Sequence, residues 1–173
     1  MSNIVINRLT NANIYLNGQN LIGRASSVDL PEIEQKFEEH EGLGMVGTAE
    51  FFSGIDVMEC TISWTAYYPE VWRQIANPVR SNQLQIRSSL ETWNSSGRLI
   101  EVPAVAFLTG TFKKLPMGSF TKNESAEFET DISCTYARLN IAGQNIFEID
   151  VMANIYKVAN NDILLFYRLN TGA

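Results

Sequence analysis

The sequence predicts a mainly β, antiparallel fold: a β-sandwich or barrel with one short α-helix and protruding arms. Three observations carry that expectation. Strand-like segments follow one another at hairpin spacing, only one stretch has helical spacing, and three segments hold more apolar residues than one small core requires. Those segments are the N-terminus, the loop at 40–47 and the C-terminal tail.

Taking the chain in order, Ile14-Tyr15-Leu16, Asn17-Gly18 and Leu21-Ile22 form a hairpin signature, because Asn-Gly takes the positive φ angles of a tight turn. Ser26 to Phe37 reads as one or two strands interrupted at Pro31, which suits an edge or a bend. Within it Ile33 and Phe37 share one side and Glu32, Glu34, Lys36 and Glu38 the other, the period-two pattern of a half-buried strand with a core face and a charged face. The loop Gly42-Leu43-Gly44-Met45-Val46-Gly47 follows, and Ala49 to Ser53 is expected to return as its partner arm, making a long hairpin tipped by residues 40–47.

Val57 to Trp64 alternates, with Met58, Cys60, Ile62 and Trp64 on one face. Tyr68 to Ala76 is the expected helix: Pro69 stands early, Glu70 is in the first turn, Val71, Trp72 and Ile75 share a side, and Pro78 stops it. Trp72 is read as a core anchor rather than a ligand platform. Gln83 to Trp93 and Leu99 to Lys113 form a hairpin around Asn94-Ser-Ser-Gly97, with Leu84, Ile86 and Leu90 inward. Leu115-Pro-Met-Gly-Ser119 is a linker. Beyond it Ala126, Phe128, Thr130, Ile132, Cys134 and Tyr136 alternate with Glu127, Glu129, Asp131, Ser133 and Thr135, a strand with one acidic face. Ile141-Ala-Gly143 turns it into Ile146 to Asp150, and the apolar run Ile163-Leu-Leu-Phe-Tyr167 is expected to be a docked tail.

Composition narrows the function. A chain of 173 residues with 45% hydrophobic and 18% charged content is that of one globular domain. A formal charge of −6 with scattered Lys and Arg argues against a surface that grips phosphate backbones. The acids cluster at Glu32–Glu41 and Glu124–Asp131, for which a solvated face is the alternative reading. No apolar run approaches the roughly 20 residues that span a bilayer, and the start lacks the layout of a secretory signal, so a protein made in the cytoplasm and not inserted in membrane is expected.

Catalytic chemistry finds no footing. Cys60 and Cys134 lie in alternating strands and are expected to be buried free thiols, and two cysteines without nearby histidine make no zinc site. His40, the single histidine, lies between Glu39 and Glu41 on a loop, without an acid-base partner. The Gly42–Gly47 loop lacks the Lys-Ser/Thr ending of a phosphate loop. Glu127 and Glu129 share a strand face, but neighbours in a row of acids are commoner as an electrostatic surface than as a glycosidase pair. No enzyme activity, metal or cofactor is expected. A chain with so many edges and arms is instead expected to oligomerise.

Two stretches, Leu30-Pro-Glu-Ile to Gly42-Leu-Gly-Met-Val-Gly-Thr48 and Cys134-Thr-Tyr-Ala-Arg-Leu-Asn-Ile-Ala-Gly143-Gln-Asn-Ile-Phe-Glu148-Ile-Asp150, resemble the major tail tube proteins of contractile-tailed phages and R-type bacteriocins. The likeness extends to Asn17-Gly18 and to Lys157-Val-Ala-Asn-Asn-Asp-Ile163, so it covers nearly the whole chain as one domain, 1–173; the apolar Leu164, Leu165 and Phe166 depart from it. The resemblance implies a hexameric ring whose subunits pool their sheets into one β-barrel, with rings stacked into a rigid tube inside a contractile sheath. It divides the chain into an N-terminal arm (about 1–12), an inter-ring hairpin (about 38–54), a helix (about 69–76) and a C-terminal tail (about 157–173). Implied partners are further copies of the chain, the tail sheath protein, and baseplate and tail terminator proteins, in a virion tail or bacteriocin particle. Through the tube DNA would pass without specific binding. On this reading Gly42, Leu43, Gly44, Met45, Val46 and Gly47 make the ring-to-ring contact, and Glu34, Glu38, Glu127, Glu129 and Asp131 line an acidic lumen. A secretion-system ring protein of the type VI kind and a soluble β-sandwich binding module are the alternatives.

Overall fold

The computed structural model describes residues 4–122 and 126–172. Its elements are β1 (Ile6–Leu16), β2 (Gln19–Asn20), β3 (Ala25–Asp29), β4 (Gln35–His40), β5 (Ala49–Ile55), β6 (Met58–Trp64), α1 (Pro69–Ile75), β7 (Asn82–Asn94), β8 (Gly97–Phe112), β9 (Phe128–Ile141), β10 (Gln144–Asp150), β11 (Ile155–Val158), β12 (Asn161–Asp162) and α2 (Leu165–Thr171). All the strand pairings are antiparallel.

One sheet runs in the order β12-β11-β10-β9-β8-β7-β1-β2. β9 organises it: β8 pairs along one edge, while the other edge takes β6 opposite Phe128–Cys134 and then β10 opposite Tyr136–Ile141. β3 adds to the free edge of β6. The apolar faces of these strands close on a single core containing Leu16, Met58, Cys60, Ile62, Leu84, Ile86, Leu108, Ile132 and Ile149. The helix α1 caps it with Val71, Trp72 and Ile75; Trp72 stacks edge-on against Trp64 and Phe128, which makes it the core anchor its spacing suggests.

Turns behave as their residues dictate. Asn17 and Gly18 both have positive φ, and the Asn17 side chain does more than turn: its Oδ1 accepts from the Gln83 amide at 2.9 Å and its Nδ2 donates at 2.9 Å to Oδ1 of the buried Asn82. Gly110 is needed for a different reason. A Cβ there would sit 2.4 Å from the Ser133 carbonyl oxygen, so only glycine lets β8 approach β9 at this point.

Several expectations change. At Thr135 the β8–β9 register slips, so the burial phase reverses: Ala137, not Tyr136, continues the core face. β4 has no core face, because it pairs only with β5 in a separate two-stranded ribbon that meets the main sheet at its base, where Gln35 donates to Tyr156 and Phe52 packs beside the same ring; every β4 residue is exposed. Phe37 is matched across the ribbon by Phe52, ring centroids 6.2 Å apart, and Ile33, ahead of the strand, packs on the core. From Ile6 onward, the segment anticipated as an N-terminal arm is strand β1, paired with β7 as far as Trp93. A second helix, α2, replaces the apolar tail. It ends at Gly172 in the left-handed conformation, and Arg168 fastens it by pairing with Asp162 at 2.5 Å. Leu164 is packed on the core, while Phe166 and Leu169 are exposed.

Candidate assembly and lumen surfaces

The β4–β5 ribbon positions the loop Gly42–Gly47 at its far end. The loop is closed by the Met45 amide donating to the Gly42 carbonyl and by Thr48 Oγ1 donating to Glu41 Oε1 at 2.8 Å, with Gly44 at positive φ. Leu43 (109% exposed) and Val46 (111%) stand fully in water, while the Met45 sulfur folds back over Gly42. Two apolar side chains on a stiffened tip form a knob that no described residue covers.

The five predicted lumen acids are not brought together. Glu129 and Asp131 share the non-core face of β9, and Glu127 is exposed just ahead of that strand. Glu34 precedes β4, its carbonyl accepting from the Asp56 amide, and Glu38 lies on β4 opposite Phe51, so both belong to the ribbon. Glu124 of the second acidic group lies outside the described residues. The β9 acids are also not bare. Lys114 Nζ lies 2.7 Å from Glu129 and 3.7 Å from Asp131, Thr61 Oγ1 donates to Asp131 at 3.1 Å, and Lys113 pairs with Glu59 on the neighbouring β6. The hydrogen bond to Glu129 holds the Lys114 pKa above its ordinary value.

The remainder of that non-core face went unseen in the sequence. Register places Asn20, Tyr15, Gln85, Phe107, Arg138, Glu148, Lys157 and Asp162 in one row across β2, β1, β7, β8, β9, β10, β11 and β12. Its charges alternate and are matched. The Arg138 guanidinium lies over the Phe107 ring at 4.4 Å, Lys157 reaches Glu148 at 3.3 Å, Tyr136 donates to Glu148 at 3.1 Å, and Arg168 neutralises Asp162. Burial and the Glu148 contact raise the Tyr136 pKa, and the Arg168 contact lowers that of Asp162. The Asn7/Arg8 end of β1 with the outer halves of β7 and β8 extends this sheet as a three-stranded arm. There Arg98 pairs with Glu91 and Glu101 on the polar side. On its other side Leu9, Leu90 and Val102 lie in register with no second layer, and Leu9 is exposed.

Among the described residues no group of three His, Cys, Asp or Glu side chains could hold a metal ion, and no helix is long and apolar enough to cross a membrane. Cys60 and Cys134 are free and buried, and burial pushes their thiols up to about 12 and about 11.

A sheet with one packed face, one charge-matched polar face and apolar surfaces left uncovered at its ribbon and arm defines a structural protein that completes itself by association. Comparison with known proteins specifies which. Residues 6–172 match the family model of phage tail tube protein FII, and the chain belongs to that family of structural tail tube proteins. It is 30% identical over 164 residues to the tail tube protein of Escherichia phage P2, covering 92% of this chain and 94% of that one. Over 146 residues it is 24% identical to the major tail tube protein of Serratia phage KSP20, covering 83% and 82%. Its fold is shared by two solved structures of an extracellular contractile injection system, PVC, in the extended state. One is the sheath–tube complex (TM-score 0.56, 16% identity, 75% of this chain and 87% of that one), and the other the sheath/tube terminator (TM-score 0.54, 14%, 75% and 92%).

Proposed function

We propose that six copies of the chain form a ring, that rings stack into the inner tube of a contractile injection apparatus, and that the polar sheet face lines the channel. The observation that carries this reading is the division of one long sheet into two unlike faces. One is apolar and continues past the subunit's own core along the arm, where Leu9 calls for a neighbouring subunit as its second layer. The other is polar, with Lys114, Lys157 and Arg168 paired to carboxylates, as suits a wet wall. Glu129 and Asp131, with Glu127 beside them, belong to this channel wall and Glu34 and Glu38 to the hairpin. The Gly42–Gly47 tip grips the next ring.

The partners follow from this role: copies of the chain, a sheath protein around the tube, baseplate and terminator proteins at its ends, and DNA in transit without specific binding. The particle would be assembled in a bacterial cytoplasm. Negative-stain microscopy of the purified chain tests the proposal. Discs or tubes with a stain-filled channel are expected, and a chain that stays monomeric at every concentration overturns it.

A further inference from the structure

The ribbon that carries the apolar knob also forms, at its base, one wall of an apolar groove. The groove has a volume of about 320 Å³ and runs between Phe52 and Ile55 on the ribbon side and Val151, Tyr156, Leu164 and Tyr167 on the other. Its described lining carries one charged group, Asp150, which is held by backbone amides. The carboxylate of Asp150 accepts from the Met152 and Ala153 amides at 3.0 Å, and the Tyr156 hydroxyl from Gln35 at 3.0 Å.

We propose that this groove receives the knob, Leu43 and Val46, of a second copy of the chain. It extends the self-assembly reading above by naming the receiving surface. Three features of the molecule select that occupant. The groove takes about ten waters' worth of volume at about 30 Å³ each, enough for both aliphatic side chains together. The chain's own knob does not reach it, because the six residues of β4 hold the tip about 20 Å from the ribbon's base. Tip-to-tip pairing is opposed by charge: Glu38, Glu39, Glu41 and Glu50 are exposed on the ribbon with no ion pair among the described residues, and a symmetric contact would set them against their own copies. Each copy therefore offers one knob and one groove in a head-to-tail contact, which propagates from copy to copy instead of ending at a dimer.

Cross-linking with a short flexible bis-maleimide tests this. Gly47→Cys sits beside the knob with open space around it and leaves Leu43 and Val46 in place, and Val151→Cys lies in the groove. The wild type, whose two thiols are buried, is the control. The double variant is expected to give a ladder of dimers, trimers and higher species, an equimolar mixture of the single variants a heterodimer only, and each single variant alone no product. Dimers from Gly47→Cys alone would overturn the proposal in favour of tip-to-tip contact. Tubes seen by microscopy without any ladder would overturn it while leaving the assembly reading intact, the groove then belonging to another partner. Absence of discs and tubes from the wild type would overturn both.

Discussion

Shortening the knob without charging it gives a quantitative test of the ring-to-ring contact. The double replacement Leu43→Ala/Val46→Ala acts on two side chains that are fully exposed in the subunit, so the stability of the monomer should shift by no more than about 0.5 kcal/mol. If both side chains are buried in the stacked tube, the replacement takes away about five buried carbons at about 0.8 kcal/mol each, or about 4 kcal/mol per contact. At 1.4 kcal/mol per factor of ten, the critical concentration for tube formation rises roughly a thousandfold. Sedimentation of a dilution series, with soluble protein read in the supernatant, measures that concentration directly, and thermal unfolding of the supernatant checks the monomer. Leu43→Asp should abolish pelleting altogether. Tubes from the alanine variant at the wild-type critical concentration would refute the assignment of these residues to the contact.

Three further outcomes follow from the subunit itself. Gly110→Ala should prevent soluble expression or lower the midpoint of chemical denaturation more than an exposed glycine such as Gly47→Ala, since its Cβ would meet the Ser133 carbonyl at 2.4 Å; equal midpoints would show that β8 and β9 can part there at little cost. Lowering the pH should loosen α2. Arg168 depresses the Asp162 pKa in the fold, so the stabilisation is present above the ordinary carboxylate range of about 4 and is lost as pH falls through the depressed value. Hydrogen exchange in α2 should accelerate there, and Asp162→Asn should remove that pH dependence. Finally, Cys60 and Cys134 should resist a thiol reagent at pH 8 until denaturant is added, because burial raises both pKa values; rapid labelling of the native chain would contradict that burial.

Much of the fold was legible because its signals are local. Asn17-Gly18 places one hairpin turn at the positive φ angles those residues tolerate and Gly143 marks a second, and the alternation from Met58 to Trp64 names the core face of β6 residue by residue. The misreadings have non-local causes. Alternation shows that Tyr136 shares a parity with Cys134, but the extra residue at Thr135 is visible only against β8, and past it parity points the wrong way. Ile33 does pack on the core, but Phe37 read as continuing that face because alternation does not reveal where the layer behind a strand ends; here it ends at the ribbon's base. The second helix did leave a local trace, in Arg168 near its end and Gly172 just after it, which the apolar run Ile163–Tyr167 concealed. Of the candidate surfaces, the knob was legible from Leu43, Met45 and Val46 between glycines. The row from Asn20 to Asp162 was not, since its eight members come from eight strands and only register aligns them.

That row alters the electrostatic account of the proposed channel. An acidic wall repels DNA along its length, but it also draws in counterions and opposes entry. A wall on which Glu59 answers Lys113, Glu129 and Asp131 answer Lys114, and Glu148 answers Lys157 presents little net field at any step. Lys113, Lys114 and Lys157 are held to nearby carboxylates, while Arg138 and Arg87 lie over the Phe107 and Tyr15 rings, so a phosphate approaching one of the lysines must displace an existing partner, and each such exchange gains little. In the proposed channel, low adhesion in transit would then rest on this pairing of the lysines as well as on repulsion. Glu38, Glu39 and Glu41, which have no ion pair among the described residues, lie on the hairpin, where repulsion would have a different use under the proposed contact: keeping identical tips from pairing with one another.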